Sequence, residues 1–124
     1  MAATFTKLAL QPAGTTGDGL GILVVQTATA GTAIHTASST PSTIDELWLY
    51  AYNNHSADIL LTIEYGGVTA PKDVIKFTVK TQAGLYLIVP GLVIQGNATA
   101  KVVRAFAATA SQISIFGYVN RITA

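Results

Sequence analysis

Residues 44–65 of the chain read IDELWLYAYNNHSADILLTIEY, and hydrophobic side chains recur there at every second position. A period of two is typical of a β-strand, because successive side chains of a strand point to opposite faces. The Asn and Ser residues within 53–57 favour a turn. The stretch therefore predicts two strands, Ile44–Tyr52 and Asp58–Tyr65, joined by a short turn.

The same period extends along most of the chain, and no segment shows the spacing of an amphipathic helix. Gly66–Lys72 predicts the loop of a hairpin, and Pro90 and Gly91 are expected to end a strand. About eight strands at this spacing predict an all-β fold, an antiparallel β-sandwich that is jelly-roll-like, in a single domain covering residues 1–124. The remaining predicted strands are Thr4–Leu10, Leu20–Thr27, Asp73–Lys80, Leu85–Val89, Lys101–Ala107 and Gln112–Ile122.

The segment Thr27–Thr43 differs from the rest because it reads TATAGTAIHTASSTPST, almost entirely small side chains. One interpretation is a mobile arm. The other is a flat strand pressed against another subunit, which would place Ile34 and His35 at the contact. Residues 1–43 are accordingly predicted to include an extended N-terminal arm or an interface segment.

Composition excludes several classes of protein. Of the 124 residues, 50% are hydrophobic and only 10% are charged, whereas soluble proteins average about 25% charged residues. Disordered chains have the opposite composition. Seven Lys and Arg against six Asp and Glu do not give the basic surface of a nucleic-acid-binding protein. With no cysteine, no secretory signal and no long apolar run, we expect synthesis in the cytoplasm and no membrane partner.

Two motifs carry a superficial chemical signal. The glycine-rich sequence GTTGDGLG, residues 14–21, lacks the Gly-Lys-Ser/Thr ending of a phosphate-binding loop, so it predicts a turn built on Asp18 and Gly19. His55, Ser56 and Asp58 are residue types of a hydrolase triad. Triad members converge from separate segments, however, so three neighbours in one turn cannot fill those roles together.

The titratable residues are too scattered to predict chemistry. His35 and His55 are the only histidines, and neither has carboxylates at ligand spacing. An enzyme would need a pocket that gathers Asp45 or Asp73 with one of these histidines. We therefore predict no catalytic residue, no cofactor and no metal site, and a protein that is not an enzyme.

The aromatic residues Trp48, Tyr50 and Tyr52 share one face of their predicted strand. Three interpretations remain open: a second core face, a subunit interface, or a platform on which sugar rings stack. Arg104 and Arg121 are the cations best suited to polar contacts with a partner, because a guanidinium forms paired hydrogen bonds. The predicted interface residues are thus Trp48, Tyr50, Tyr52, Ile34, His35, Arg104 and Arg121.

Four stretches carry a resemblance to a known class of proteins: IDELWLYAYN (44–53), ILLTIEYGG (59–67), VRAFAA (103–108) and GYVNRI (117–122). Together they resemble the small virion structural proteins of tailed bacteriophages. The resemblance implies a capsid decoration, or cement, protein that binds the major capsid protein on the outer capsid surface of the virion. It also implies a homo-oligomer, often a trimer, without catalytic residues. The alternatives are a head–tail or fibre component, or a carbohydrate-binding knob.

Overall fold

A computed structural model describes residues 3–123, and within this range the chain forms nine antiparallel strands and no helix. The prediction of an all-β antiparallel sandwich is confirmed. The predicted domain 1–124 extends past the described residues at positions 1, 2 and 124. The strands are β1 (Thr4–Ala9), β2 (Ile22–Leu23), β3 (Thr32–Thr36), β4 (Thr43–Asn53), β5 (Ile59–Tyr65), β6 (Val74–Val79), β7 (Tyr86–Gln95), β8 (Val102–Ala107) and β9 (Ile113–Thr123).

Two sheets pack face to face. The five-stranded sheet has the order β1-β9-β4-β7, and β2 pairs with the same edge of β9 as β1 does, beyond the end of β1. The four-stranded sheet has the order β3-β8-β5-β6. The predicted hairpin is present, because β5 pairs with β6 from Ile59–Val79 to Glu64–Val74. Apart from this hairpin and β1–β2, every connection crosses from one sheet to the other.

The core lies between the sheets and follows the alternation seen in the sequence. On β4 the residues that alternate with the aromatic side chains, Leu47, Leu49 and Ala51, are fully buried. Burying a Leu or Ile side chain contributes about 1.5–3 kcal/mol to folding stability. Burial of these residues therefore determines which face of β4 points into the core. The inner faces of β5, β8 and β9 supply about half of the other buried hydrophobic residues: Ile59, Leu61, Ile63, Val103, Ala105, Ala107, Ile113, Ile115 and Val119.

The small-residue segment Thr27–Thr43 is not a free arm, because part of it pairs with another strand of the same chain. Thr32–Thr36 forms β3, a strand additional to the eight predicted ones, and β3 pairs with β8 of the same chain. The small side chains permit this close approach: a Cβ atom added to Gly31 would lie 2.5 Å from the main chain of Ala105. Ile34 and His35 are both 0% exposed, so neither presents the surface to a second subunit that the sequence interpretation required.

Strand β7 also departs from expectation, because it continues through Pro90 and Gly91 instead of stopping at Val89. Its register against β4 shifts twice, between Leu47 and Trp48 and between Leu49 and Tyr50. As an edge strand, β7 tolerates a proline without losing a ladder hydrogen bond. No helix capable of spanning a membrane occurs within residues 3–123.

Candidate functional site

The outer surface of the five-stranded sheet is covered by aromatic and aliphatic side chains. Trp48, Tyr50 and Tyr52 alternate with the core residues of β4 and are half-buried. Paired residues of antiparallel strands share a face, so the register extends this surface across the sheet. We call it the aromatic face. Its members are Phe5, Lys7 and Ala9 of β1; Leu23 of β2; Ile44, Glu46, Trp48, Tyr50 and Tyr52 of β4; Leu87, Pro90 and Val93 of β7; and Ser114, Phe116, Tyr118, Asn120 and Ile122 of β9.

Trp48 is held in place at the centre of the aromatic face. Its ring lies nearly parallel to that of Tyr118, at 11° with a centroid separation of 6.2 Å. Glu46 Oε1 accepts hydrogen bonds from Trp48 Nε1 and Asn120 Nδ2, both at 2.9 Å. These bonds hold the pKa of Glu46 below its usual value. The indole is therefore fixed by a carboxylate at its edge as well as by a neighbouring ring.

Glycine at position 91 makes room for this indole. Gly91 has a φ of +78°, and a Cβ atom there would lie 2.9 Å from Trp48 Cζ2. On the other side of the ring pair, Lys7 Nζ lies 4.7 Å from the centroid of Tyr118, within the range of a cation–π contact. Side-chain contacts thus link β1, β9 and β4 through Lys7, Tyr118 and Trp48. The indole of Trp48 also lies against the main chain of β7 at Gly91.

The aromatic face is broad and almost uncharged. Phe5 is 72% exposed, Val93 57% and Leu23 46%, and only Lys7 and Glu46 carry charge among the face's members. Monomeric soluble proteins rarely expose a contiguous apolar surface of more than a few hundred Å². This arrangement is suited to association with another surface.

Sequence reasoning found only one strand of this face. It predicted Trp48, Tyr50 and Tyr52 correctly as sharing one side of a strand, but it missed Tyr118 and Phe116. Those two alternate along β9 with the same period, which was the available signal. What the sequence lacks is the pairing of Trp48 with Tyr118 and of Tyr50 with Phe116, which are about 70 residues apart in the chain.

A second cluster lies inside the sandwich and joins its two sheets. His35 of β3 is within hydrogen-bonding distance of Asp45 of β4, with 2.7 Å between Nε2 and Oδ2. Arg121 of β9 binds the same carboxylate with two parallel hydrogen bonds, Nε to Oδ1 at 2.8 Å and Nη2 to Oδ2 at 2.9 Å. The main-chain N–H of Gln11 donates to His35 Nδ1 at 3.1 Å. We call this cluster the His-Asp-Arg network.

The hydrogen bonds define the protonation state of this network. Because His35 Nδ1 accepts a main-chain proton, the assigned form is the neutral ring with its proton on Nε2, which donates to Asp45. Burial alone raises the pKa of Asp45, but hydrogen bonds from Arg121 and His35, aided by the charge of Arg121, lower it to about 2. The same bond to Asp45 raises the pKa of Arg121.

This network includes the pair that an enzyme would have needed, since Asp45 and His35 do meet. Both side chains are nevertheless out of contact with solvent, and both ring nitrogens of His35 are engaged within the chain. Arg121, predicted to contact a partner, directs Nε and Nη2 to Asp45, and its side chain is 25% exposed. The network's chemistry is to tie β3, β4 and β9 together.

Arg104 likewise binds within the chain. Its Nη1 donates to the carbonyl oxygen of Gly31 at 3.3 Å. The next contact in this region involves Glu64, which is fully buried although it lies on the outer side of the four-stranded sheet: its Oε1 accepts from Gly31 N at 2.7 Å and its Oε2 from Thr29 Oγ1. Residues 27–31, which we call the strap, therefore cover this part of the sheet.

The glycine-rich residues 14–21 border an open cavity of about 450 Å³. Asp18 is the one charged residue lining it, and its Oδ1 accepts from Leu20 N at 3.0 Å, as in the predicted turn. An acidic side chain repels the phosphate that a glycine-rich loop could otherwise bind. Among the described residues, no group of three His, Asp or Glu side chains is arranged to hold a metal ion.

Two arrangements of side chains are therefore candidates for a functional site: the aromatic face on the surface and the His-Asp-Arg network in the interior. His35 and Asp45 of the network are closed to solvent, so the aromatic face is the candidate functional site. Comparison with known proteins adds no further guide, because no protein-family model matches the chain and no curated protein matches its sequence.

Proposed function

We propose that this chain is a non-catalytic virion structural protein, a decoration or cement protein that binds the major capsid protein and stabilises the outer surface of a phage capsid as a homo-oligomer. The observation that carries the proposal is the aromatic face, a nearly uncharged outer surface on a chain of only 10% charged residues, which favours assembly into an oligomer. Such a surface gains free energy when another surface covers it, at roughly 25 cal/mol for each Å² of apolar area removed from water.

The strand order supports the same proposal. With β1 set aside, the sandwich consists of the sheets β2-β9-β4-β7 and β3-β8-β5-β6, eight strands whose connections mostly cross between sheets. We infer the jelly-roll form of the sandwich from this order. Jelly rolls are common in viral capsid proteins and lectins, although a fold alone does not fix a function.

Co-sedimentation with capsid shells tests this function. Shells assembled from the major capsid protein of the same genome, without this chain, would be mixed with the purified chain and pelleted. We expect saturable binding at a fixed ratio to capsid subunits, and a higher melting temperature of the decorated shell. Shells that neither pellet the chain nor gain stability would contradict the proposal.

One observation favours a second candidate function, carbohydrate binding. The near-parallel rings of Trp48 and Tyr118 lie beside the carboxylate of Glu46 and the amide of Asn120, which combines an apolar platform with hydrogen-bonding groups. Trp48 is the single tryptophan, so its fluorescence reports binding directly. Titration with methyl pyranosides and short oligosaccharides would change the emission if sugars bind, and an unchanged spectrum across the panel would remove this candidate.

A further inference from the structure

We propose that the aromatic face is covered by the aromatic face of a second copy of this chain. The two five-stranded sheets, one from each copy, then face each other across a two-fold axis that runs parallel to β9. The inference deepens the proposed function by naming the contact within the homo-oligomer. It rests on that function only for the expectation that the chain self-associates, and it leaves the capsid to be bound by the remaining surfaces.

The part of the aromatic face that two copies share is three strands wide, because rotation about β9 places β1 and β2 on β4 and leaves β7 unmatched. Strands β4 and β9 are each 11 residues long. At about 3.3 Å per residue and about 4.8 Å between strands, this part measures roughly 36 by 14 Å, or about 500 Å². A standard protein interface buries about 800 Å² on each partner, so this contact is among the smaller ones and depends on complementary shape and charge.

The two-fold axis makes the shape of the face self-complementary. β1 and β2 lie on one side of β9 and β4 lies on the other, so rotation about β9 stacks β1 and β2 of one copy on β4 of the other. Rows defined by shared β9 partners then face each other. Ala9, the smallest residue of the face on β1, meets Trp48, the largest on β4, through their common partner Tyr118.

Two further rows behave in the same way. Phe5 and Ile44 both pair with Ile122, so the 72% exposed ring of Phe5 would rest on the aliphatic side chain of Ile44 of the partner subunit. Leu23 and Tyr52 both pair with Ser114, so Leu23 would cover the partner subunit's Tyr52. The most exposed apolar residues of β1 and β2 thereby find apolar partners.

Charge is complementary as well. Lys7 and Glu46 share the β9 partner Asn120, so the same rotation places the ammonium of each copy over the carboxylate of the other. The symmetry repeats this pair, giving two ion pairs that account for both charges of the face. The hydrogen bonds from Trp48 and Asn120 both use Oε1 of Glu46, which leaves Oε2 to accept from the lysine. Because Lys7 and Glu46 lie on opposite sides of the axis, the charges of one copy are complementary to those of the other.

Sedimentation velocity of the purified chain, with no capsid protein present, tests the dimer. Between 1 and 100 µM we expect a species of twice the chain mass of 12.9 kDa. Lys7→Glu alone and Glu46→Lys alone each set like charges against each other twice, and each should weaken the dimer at least tenfold. Lys76→Glu is the matched control, because Lys76 is exposed on β6 of the other sheet, and it should leave the dimer unchanged.

Mixing the two weakened variants separates a direct contact from a folding defect. In the mixed dimer the two altered residues face each other with opposite charges, and so do the two native residues. K7E and E46K together should therefore regain the dimer that each substitution alone weakens. Circular dichroism would establish that each variant is folded before mixing. Failure of the mixture to dimerise would overturn the proposed axis.

Other occupants of the face give different results. A wild-type chain that stays monomeric at 100 µM, whether or not it binds a pyranoside or capsid shells, would overturn the dimer. A species of three times the chain mass would do so too, because a two-fold contact cannot close a trimer. Loss of capsid co-sedimentation with an intact dimer would overturn the proposed function and leave the dimer standing, so the two failures are distinguishable.

Discussion

Asp45 is a buried charge whose position is stable because both of its oxygens are bonded. It accepts from Arg121 on β9 of the same sheet and from His35 on the opposite sheet. Removing one member of such a cluster leaves the others buried with unmet hydrogen bonds, which costs about 3–5 kcal/mol. A single carboxylate thus determines how one end of the sandwich is held together.

Asp45→Asn should lower the free energy of unfolding at pH 7 by about 3 kcal/mol, because an amide cannot accept both hydrogen bonds of Arg121. Urea denaturation measures this loss. Asp58→Asn is the control: Asp58 pairs with Lys80 at the surface, and its replacement should change stability much less. Equal effects of the two substitutions would mean that the His-Asp-Arg network does not stabilise the fold.

The pH dependence of stability carries the same signature. The pKa of Asp45 is about 2 in the folded chain against 3.8 for the free side chain, so the folded state binds this proton less readily than the unfolded state. The contribution of Asp45 is therefore complete above about pH 4 and is lost as the pH falls towards 2. A shift of this size corresponds to about 2 kcal/mol. The difference between wild type and Asp45→Asn should shrink over this window, and a difference that stays constant would contradict the assignment.

Gly91 and Gly84 offer a matched pair of substitutions. Both have positive φ, at +78° and +85°, but a Cβ atom at Gly91 meets Trp48, whereas at Gly84 nothing lies within 4 Å. Alanine at either position should cost about 1 kcal/mol of backbone strain. Only Gly91→Ala should also displace the indole and change the emission of the single tryptophan. Identical spectra for the two variants would show that Gly91 does not position Trp48.

At the scale of elements, the strap depends on one acidic residue. Glu64 lies under residues 27–31 and accepts from Gly31 N and Thr29 Oγ1. Glu64→Ala should destabilise the fold by about 2 kcal/mol, the usual cost of losing hydrogen bonds to a buried charge. It should also speed amide exchange at Gly31 by a larger factor than in the distant β4, where exchange reports only the loss of global stability. Uniform acceleration throughout the chain would instead indicate global destabilisation.

The sequence predicts those elements whose side chains alternate strongly, such as β4, β5 and β6. It leaves β3 open between a mobile arm and a flat strand, because Thr32, Ala33 and Thr36 carry no hydrophobic alternation, and only pairing with β8 decides for the strand. It also ends β7 too early, since the register shifts that carry the strand past Pro90 depend on the neighbouring strand. Local pattern identifies a strand's faces, and tertiary pairing decides its partners.

The candidate site divides along the same line. Trp48, Tyr50 and Tyr52 share a face by periodicity alone, whereas the row from Lys7 to Trp48 exists only because β9 lies between β1 and β4. One interpretation of the small-residue segment, a flat strand against another subunit, predicts Ile34 and His35 as contact residues. The segment instead pairs with β8 of the same chain, and both side chains lie in the protein interior.

At the scale of the whole molecule, the 10% charge is even scarcer at the surface than the composition indicates. Asp45 and Glu64 are buried, and Arg121 is mostly occupied by Asp45. Lys7 and Glu46 are the only charges of the aromatic face. The protein therefore presents one large surface with little to keep it in water, and association is the physical means of covering it.

If two copies cover this surface, stability must depend on protein concentration, because unfolding a dimer releases two chains. Scanning calorimetry at 5 and 500 µM should give melting temperatures that differ by about 5 °C, the shift expected for a hundredfold change in concentration and the unfolding enthalpy of a dimer of this size. Lys7→Glu should melt at a lower temperature than wild type at both concentrations, because its dimer is weaker, and Lys76→Glu should behave like wild type. A wild-type melting temperature independent of concentration would mean that the aromatic face stays uncovered when the chain is alone, and that its partner is a different molecule.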